Sequence, residues 1–346
     1  MSLSPARAAA LAALLTILGA SAPALAAEPV TPARAIRVQG NQFVDAGGKP
    51  VVFRGVAVSD PDKLEKGGHW NKRLFEEIKA WGANIVRVPV HPVAWRARGP
   101  RGYLALLDQG VAWARETGLY VMVDWHVIGN LRTELMQDPM YDTTRKETFE
   151  FWRQVARHYR DDPVVVLYEL FNEPTDYSGT LGRLTWAEWK PILEEIVGIV
   201  RANDPTSVVV VAGLDWAYEL REVLANPVDA PAVAYVSHPY PQKRDEPWEP
   251  KWEADWGHVA AKYPVFVTEL GFDRKGSVPF VGTSRYGRAI VDYMEKEGMS
   301  WAAWCFDADW GPTLIRDWSF APTEEGEHFR AAMLGRPLPT NEQEGP

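Results

Sequence analysis

Eight apolar, β-branched runs recur along the chain, and their spacing constrains the fold more than any other feature. They lie at Val51–Val58, Asn84–Val90, Tyr120–Trp125, Val164–Phe171, Ser207–Ala212, Val233–Val236, Val265–Leu270 and Trp301–Phe306. Most lack strict alternation, the pattern of strands covered on both faces of a parallel sheet. Between them, helical periodicity runs over Lys72–Trp81, Tyr103–Thr117, Arg145–Tyr159, Trp186–Asn203, Glu249–Lys262 and Arg285–Lys296. Alternating strands and helices mean an α/β fold. Eight such units in 346 residues predict a closed (β/α)8 TIM barrel, which needs about 250. The rival is a doubly wound open sheet, but no G-x-G-x-x-G follows the first strand, and Gly47-Gly48-Lys49 is not a P-loop. Ahead of the repeats, Ile36-Arg37-Val38 and Gln42-Phe43-Val44 flank Gly40-Asn41 as a short N-terminal β-hairpin, suited to plugging the barrel floor.

Charge and cysteine usage narrow the function. The chain carries 37 Lys+Arg against 46 Asp+Glu, a formal charge of −9, with no basic run. Nucleic acid and anionic membrane surfaces are therefore poor partners. The single cysteine, Cys305, excludes an internal disulfide and a thiolate zinc cluster. Residues 1–27 read as a secretion signal peptide: Arg7 is followed by an apolar stretch over Ala8–Ala20 and an Ala24-Leu25-Ala26 cleavage site. That stretch is short for a hydrocarbon core of about 30 Å. Cleavage is thus expected to leave a protein without a membrane anchor, in the periplasm or outside the cell. Residues 28–334 read as one domain, and 335–346 as a polar tail expected to be disordered. A monomer is expected.

In such a barrel, functional residues stand where strands end and the following loops begin. Those ends supply Arg87 (strand two), Asp124-Trp125-His126 (three), Asn172-Glu173-Pro174 (four), Ser237-His238-Pro239-Tyr240 (six), Thr268-Glu269 (seven) and Trp304 (eight). Glu173 and Glu269 each end an otherwise apolar strand, three units apart, so their side chains can face one another across the mouth. Two such carboxyl groups are what glycosidic bond cleavage needs: an acid for the leaving oxygen, and a carboxylate to attack or to activate water. Each residue alone has a plainer reading: an ion-paired glutamate or arginine, a hydrogen-bonded histidine, a capping Asn172, a core Trp304. Their joint placement at one end carries the argument. Sixteen tryptophans exceed what a core of this size needs, and indoles stack on sugar faces. Trp70, Trp95, Trp125, Trp186, Trp216, Trp310 and Trp318 fall in or near loops, with Trp216 and Trp310 favoured because they follow strands five and eight. His69 and His91 are weaker candidates for substrate contact.

At these residues the sequence resembles glycoside hydrolase family 5, the cellulase-like family of retaining barrels, over roughly Ile36 to Leu334. The Asn-Glu-Pro at 172–174 after Leu-Tyr-Glu-Leu-Phe is the most specific motif. The resemblance implies Glu173 as acid/base and Glu269 as nucleophile. It implies Arg87 and Tyr240 holding Glu269 ionised, Asn172 on the sugar 2-hydroxyl, and His238 near Glu173. It further implies His126 against the sugar and Trp304 beneath it, often followed by a cis peptide. No cofactor or metal is implied. Where many members carry Asn after Arg54-Gly55-Val56, this chain has Ala57, so Ser59 or Asp60 is expected to supply the polar group. The expected substrate is a β-glucan, most simply for an endo-β-1,4-glucanase, with activity bell-shaped in pH and peaking on the acidic side of neutral. A β-mannanase or exo-acting β-glycosidase would use the same chemistry. A non-catalytic carbohydrate-binding barrel and a metal-dependent hydrolase are the remaining alternatives.

Overall fold

The computed structural model describes residues 36–339. Eight strands close into a parallel barrel: β1 (Arg54–Ala57), β2 (Ile85–Val90), β3 (Tyr120–Trp125), β4 (Val165–Glu169), β5 (Val208–Ala212), β6 (Val233–Val236), β7 (Val265–Val267) and β8 (Ser300–Ala303). Neighbours in sequence are neighbours in the barrel. The ring closes where Trp301, Ala302 and Ala303 pair with Arg54, Gly55 and Val56. The predicted (β/α)8 TIM barrel is therefore the observed fold.

Among the described residues eight α-helices accompany the strands: α1 (Pro61–Lys66), α2 (Lys72–Ala80), α3 (Pro92–Thr117), α4 (Arg145–His158), α5 (Trp186–Asn203), α6 (Trp248–Asp255), α7 (Ser284–Lys296) and α8 (Glu324–Met333). Their apolar faces are spaced as the sequence pattern requires. On α5, Trp189, Ile192, Leu193, Ile196 and Val200 are buried, one stripe of a 3.6-residue period. Two helices differ from expectation. α3 begins eleven residues earlier than the predicted Tyr103, and is broken at Gly99 (φ 70°), just before Pro100. The predicted helix over 249–262 ends at Asp255 and resumes as a 3₁₀ turn over Gly257–Ala261. α1 and α8 carry too few periodic residues to be read from sequence.

Two strands match their apolar runs, over Tyr120–Trp125 and Val233–Val236, and the other six are shorter. The run over 51–58 divides: Pro50–Val51 is the third strand of an antiparallel sheet with Arg37–Gln39 and Gln42–Val44, and β1 starts at Arg54. The hairpin is thus a three-stranded meander. Its Ile36 and Phe43 pack with Phe53, Ile85, Met122 and Phe266 from within the barrel. Phe53 lies 5.3 Å from Phe43, edge-on, and stacks on Phe266 at 5.9 Å. The meander plugs the barrel floor, as expected.

Most of the tryptophans are structural. Trp81, Trp125, Trp152, Trp189, Trp252, Trp256 and Trp301 are fully buried, and Trp70, Trp95 and Trp186 nearly so. None of Trp70, Trp95, Trp125 and Trp186 lines the cavity at the barrel mouth. Trp318 stacks on His69 at 3.7 Å, which occupies both residues. A buried indole needs a hydrogen-bond acceptor, and several find one at strand ends: Trp152 Nε1 donates to the Leu170 carbonyl (2.9 Å) and Trp189 Nε1 to that of Ala212 (3.0 Å). These bonds tie the helix layer to the end of the barrel that carries the site.

The expected signal peptide at residues 1–27 and the tail beyond Pro339 lie outside the described residues. The first part of the predicted disordered tail is held in place: Arg288 donates to the carbonyls of Leu338 and Pro339, and Leu338 packs on the core. Among the described residues no helix is long and apolar enough to cross a membrane.

Phe53 is fully buried, so Phe53→Ala should cost about 3–5 kcal/mol from lost transfer energy and the cavity left behind. Chemical denaturation should show a lower midpoint with an unchanged slope. A loss under about 1 kcal/mol would mean that the plug is not part of the cooperative core.

Candidate active site

Arg87 stands at the centre of the barrel mouth, fully buried on β2. Its guanidinium spends its donors on four partners. Nε donates to Glu169 Oε2 (2.6 Å), one terminal nitrogen to Glu269 Oε1 (2.9 Å), and the other to Asn172 Oδ1 (2.6 Å). The last nitrogen also lies 3.0 Å from Asp124 Oδ2. An arginine offers donors only, so the Asn172 amide must turn its oxygen toward Arg87. Its Nδ2 is left buried without a partner, at the wall of the cleft.

Glu269 lies two residues beyond the end of β7 and accepts at both oxygens. Tyr240 donates to Oε2 at 2.8 Å, opposite the Arg87 bond. Burial and the neighbouring Glu269 carboxylate push the Tyr240 hydroxyl well above its ordinary range, so it remains a donor. Glu269 itself is pushed up. Burial is the largest cause and Glu173 acts in the same sense, while His238, Arg87 and Tyr240 pull it back. The expectation that Arg87 and Tyr240 simply hold this group ionised thus described only one side of the balance. The other side is the cost of taking a carboxylate out of water.

Glu173 does not end a barrel strand. β4 stops at Glu169, and Glu173–Pro174 forms a two-residue strand paired with Ile128–Asn130, itself paired with Leu135–Met136. This small sheet above the mouth carries the carboxyl group inward: Glu173 N donates to the Val127 carbonyl at 3.0 Å and Thr175 N to that of Gly129 at 2.9 Å. One carboxylate oxygen of Glu173, one of Glu269 and a ring nitrogen of His238 all lie within 4.8 Å of one another.

The protonation of His238 follows from its neighbours. Thr268 Oγ1 donates to Glu169 Oε1 (2.7 Å), so it must accept from His238 Nε2 (2.8 Å). His238 Nδ1 then faces Glu173 Oε1 at 3.0 Å, and one proton lies between the two. Burial opposes a charged ring here, but Glu269, Glu169 and Glu173 outweigh it and push His238 up to about 9.

His126 behaves oppositely. Burial, reinforced by His91, Arg87 and His238, holds it well below the usual histidine range, so it is neutral. Its Nδ1 lies 2.6 Å from Asp124 Oδ2, and its ring stacks parallel to Trp304 at 5.3 Å. The peptide after Trp304 is cis. Trp304 and Trp310 meet edge-on at 6.2 Å. Asp307 positions Trp310 by accepting from its backbone N–H at 3.1 Å. Both tryptophans, Trp216, Tyr240 and the two glutamates line a cavity of about 640 Å³, ample for sugar rings.

Of the predicted site residues, Glu173, Glu269, His126, Asn172, Tyr240, Trp304, Trp216 and Trp310 line one cleft, and Arg87 and His238 lie fully buried behind them, bonded to Glu269 and Glu173. Two expectations fail. Ser59 donates to Asp307 at 2.5 Å, and Asp60 accepts from the backbone N–H groups of Asp62 and His91, so neither supplies a free polar group. Ala57 itself packs with Trp304, Cys305 and Trp310, as an apolar support. His91 lies beside the site, against His126 and Trp310, rather than on the cavity wall. Sequence reasoning missed Glu169, and it placed Thr268 at a strand end without a role. The signal for Glu169 was present: a lone charge inside the apolar run Leu-Tyr-Glu-Leu-Phe must be paired.

A family model described as cellulase (glycosyl hydrolase family 5) matches residues 44–309. Endoglucanase E-5 of Thermobifida fusca is 29% identical over 292 residues, covering 79% of this chain and 56% of its own length. Endoglucanase N of Pectobacterium atrosepticum is 26% identical over 295 residues, covering 84% and 61%. The chain thus spans a little over half the length of these relatives. Among solved structures, a beta-glucanase from Saccharophagus degradans in complex with cellotetraose is 44% identical, with a TM-score of 0.87 over 89% of this chain and 95% of that one. The catalytic domain of Thermobifida fusca endoglucanase Cel5A shares the fold at 23% identity, with a TM-score of 0.70 over 86% and 97%. The family match begins in the floor meander and runs past Trp304 at the far end of the site, and on that extent the chain belongs to glycosyl hydrolase family 5.

Proposed function

We propose that the chain is a retaining β-glucan hydrolase, an endo-β-1,4-glucanase, with Glu269 as nucleophile and Glu173 as acid/base. The carrying observation is the carboxylate pair, with oxygens within 4.8 Å in one cleft. Retaining glycosidases hold their two carboxyl groups about 5–5.5 Å apart, and inverting ones about 6.5–9.5 Å, to admit a water. Similarity to the Saccharophagus degradans beta-glucanase supports the substrate class.

In this reading Glu269, steadied by Arg87 and Tyr240, attacks the anomeric carbon while Glu173 protonates the leaving oxygen. Water then enters, Glu173 takes its proton, and the bond to Glu269 breaks. The unpaired Asn172 Nδ2 meets the 2-hydroxyl, and Trp304 lies under the ring with His126 at its edge. His238 keeps a proton within reach of Glu173. The protein acts as a monomer, after export by the leader Met1–Ala27, through one catalytic domain over 28–334 that needs no cofactor.

Glu269→Gly should lose essentially all turnover, and azide should restore it on an activated aryl β-cellobioside, giving the α-glycosyl azide. A β-azide would assign the nucleophile to Glu173 instead.

The rate should be bell-shaped in pH. Glu269 must be ionised, and it is raised above its ordinary 4.5, so activity should rise with pH at values above that figure. The falling limb reports loss of the His238 proton, held 3.0 Å from Glu173. With His238 pushed up to about 9, that limb should lie above neutral. Both shifts move the expected maximum up from the acidic side toward neutrality. A flat profile across both limbs would remove the two-acid assignment.

Product sizing on carboxymethylcellulose, mixed-linkage glucan, mannan and xylan tests the substrate. Internal cleavage of the first two is expected. Cleavage of mannan alone, or release of only small end products, would favour the mannanase or exo-acting reading.

A further inference from the structure

The loop after β5 holds an unusual conformation. Asp215, Trp216 and Ala217 are consecutive left-handed residues, at φ 56°, 56° and 59°. L-residues visit this region singly and rarely, and such strain persists only where surrounding contacts over-determine it. The loop turns back at once, since Gly213 pairs with Ala217 and Leu214 with Glu219. A Cβ on Gly213 would fall 2.0 Å from the Glu219 carbonyl oxygen, so only glycine permits the fold-back.

Contacts on several sides secure this turn. Trp216 N donates to the carbonyl of Pro174, beside Glu173, at 3.2 Å. Trp216 Nε1 donates to Gln137 Oε1 at 2.7 Å, reaching the loop that follows β3. Tyr177 meets the indole edge-on at 5.7 Å. Lys243, in the turn after β6, sits with its ammonium 4.7 Å from the Trp216 ring centroid. That ammonium donates to the Asp215 carbonyl at 2.8 Å and lies 3.4 Å from its carboxylate. Its side chain is 13% exposed, so the cation is largely shielded, where attraction to an indole face is strongest.

Trp216 stands on the Glu173 side of the carboxylate pair, while Trp304 and Trp310 come from the opposite arc of the mouth. We propose that Lys243 is a positioning residue that, with Gln137, clamps the left-handed turn so that Trp216 presents a fixed platform to the sugar on the leaving-group side. This rests on the β-glucanase reading and deepens it: Lys243 governs how well a departing glucosyl unit is recognised, not the attack by Glu269.

The test compares two substrates in one enzyme preparation: cellopentaose, whose leaving group is a sugar, and 2,4-dinitrophenyl β-cellobioside, whose leaving group needs little help from a sugar platform. In Lys243→Met, the ratio of kcat/KM for cellopentaose to that for the aryl glycoside should fall about tenfold. Gln137→Ala, which frees the indole from the other side, should lower the ratio in the same direction. Trp216→Ala should lower it at least as far, and adding Lys243→Met to it should change the ratio little further. Equal losses on both substrates, or an unchanged ratio, would overturn the clamp while leaving the β-glucanase reading intact. A wild-type enzyme that cleaves neither substrate would overturn that reading and the clamp with it.

Discussion

A buried guanidinium is tolerable when its nitrogens meet acceptors, and all three nitrogens of Arg87 do so at the barrel mouth. It touches Glu169, Glu269, Asn172 and Asp124 at 3.0 Å or less, with no exposed surface. Desolvating such an ion is costly, and good geometry with further hydrogen bonds is what compensates. The consequences spread from there. Glu269 is aimed, the Asn172 amide is forced to one orientation, and Asp124 is set to hold His126. Glu169 passes the constraint through Thr268 to His238, and so to Glu173. The two glutamates therefore belong to one electrostatic system, joined through Arg87, Glu169, Thr268 and His238.

The barrel separates this polar centre from the source of stability. Its floor is sealed by Phe43, Phe53 and Phe266, and its outer wall is packed with buried indoles. Two of those indoles turn their N–H groups to carbonyls at strand ends, Trp152 to Leu170 and Trp189 to Ala212. Apolar burial supplies the driving force for folding, and the mouth can then afford a cluster of ionisable groups that would not hold together alone.

Regular barrel geometry stops short of the carboxylate pair. Glu173 hangs from a small sheet above β4, and Trp216 from a left-handed turn above β5. The two are joined by the bond from Trp216 N to the Pro174 carbonyl. Loops are permitted such irregularity because the rigid strands beneath them fix their ends.

Much of this was legible in the chain itself. Apolar β-branched runs of near-regular spacing define eight parallel strands, because a strand covered on both faces admits little else. A polar residue at the end of each such run must lie at the mouth, which is how Glu173, Glu269, Arg87 and Tyr240 could be found together. Local pattern carries no information about partners distant along the chain. The splitting of 51–58 between meander and barrel, the burial of Trp70, Trp95, Trp125 and Trp186, the engagement of Ser59 and Asp60 by Asp307 and His91, and the upward shift of Glu269 were all decided by the closed fold. Burial and electrostatic balance are properties of the surroundings in three dimensions, and only tertiary structure assembles those surroundings.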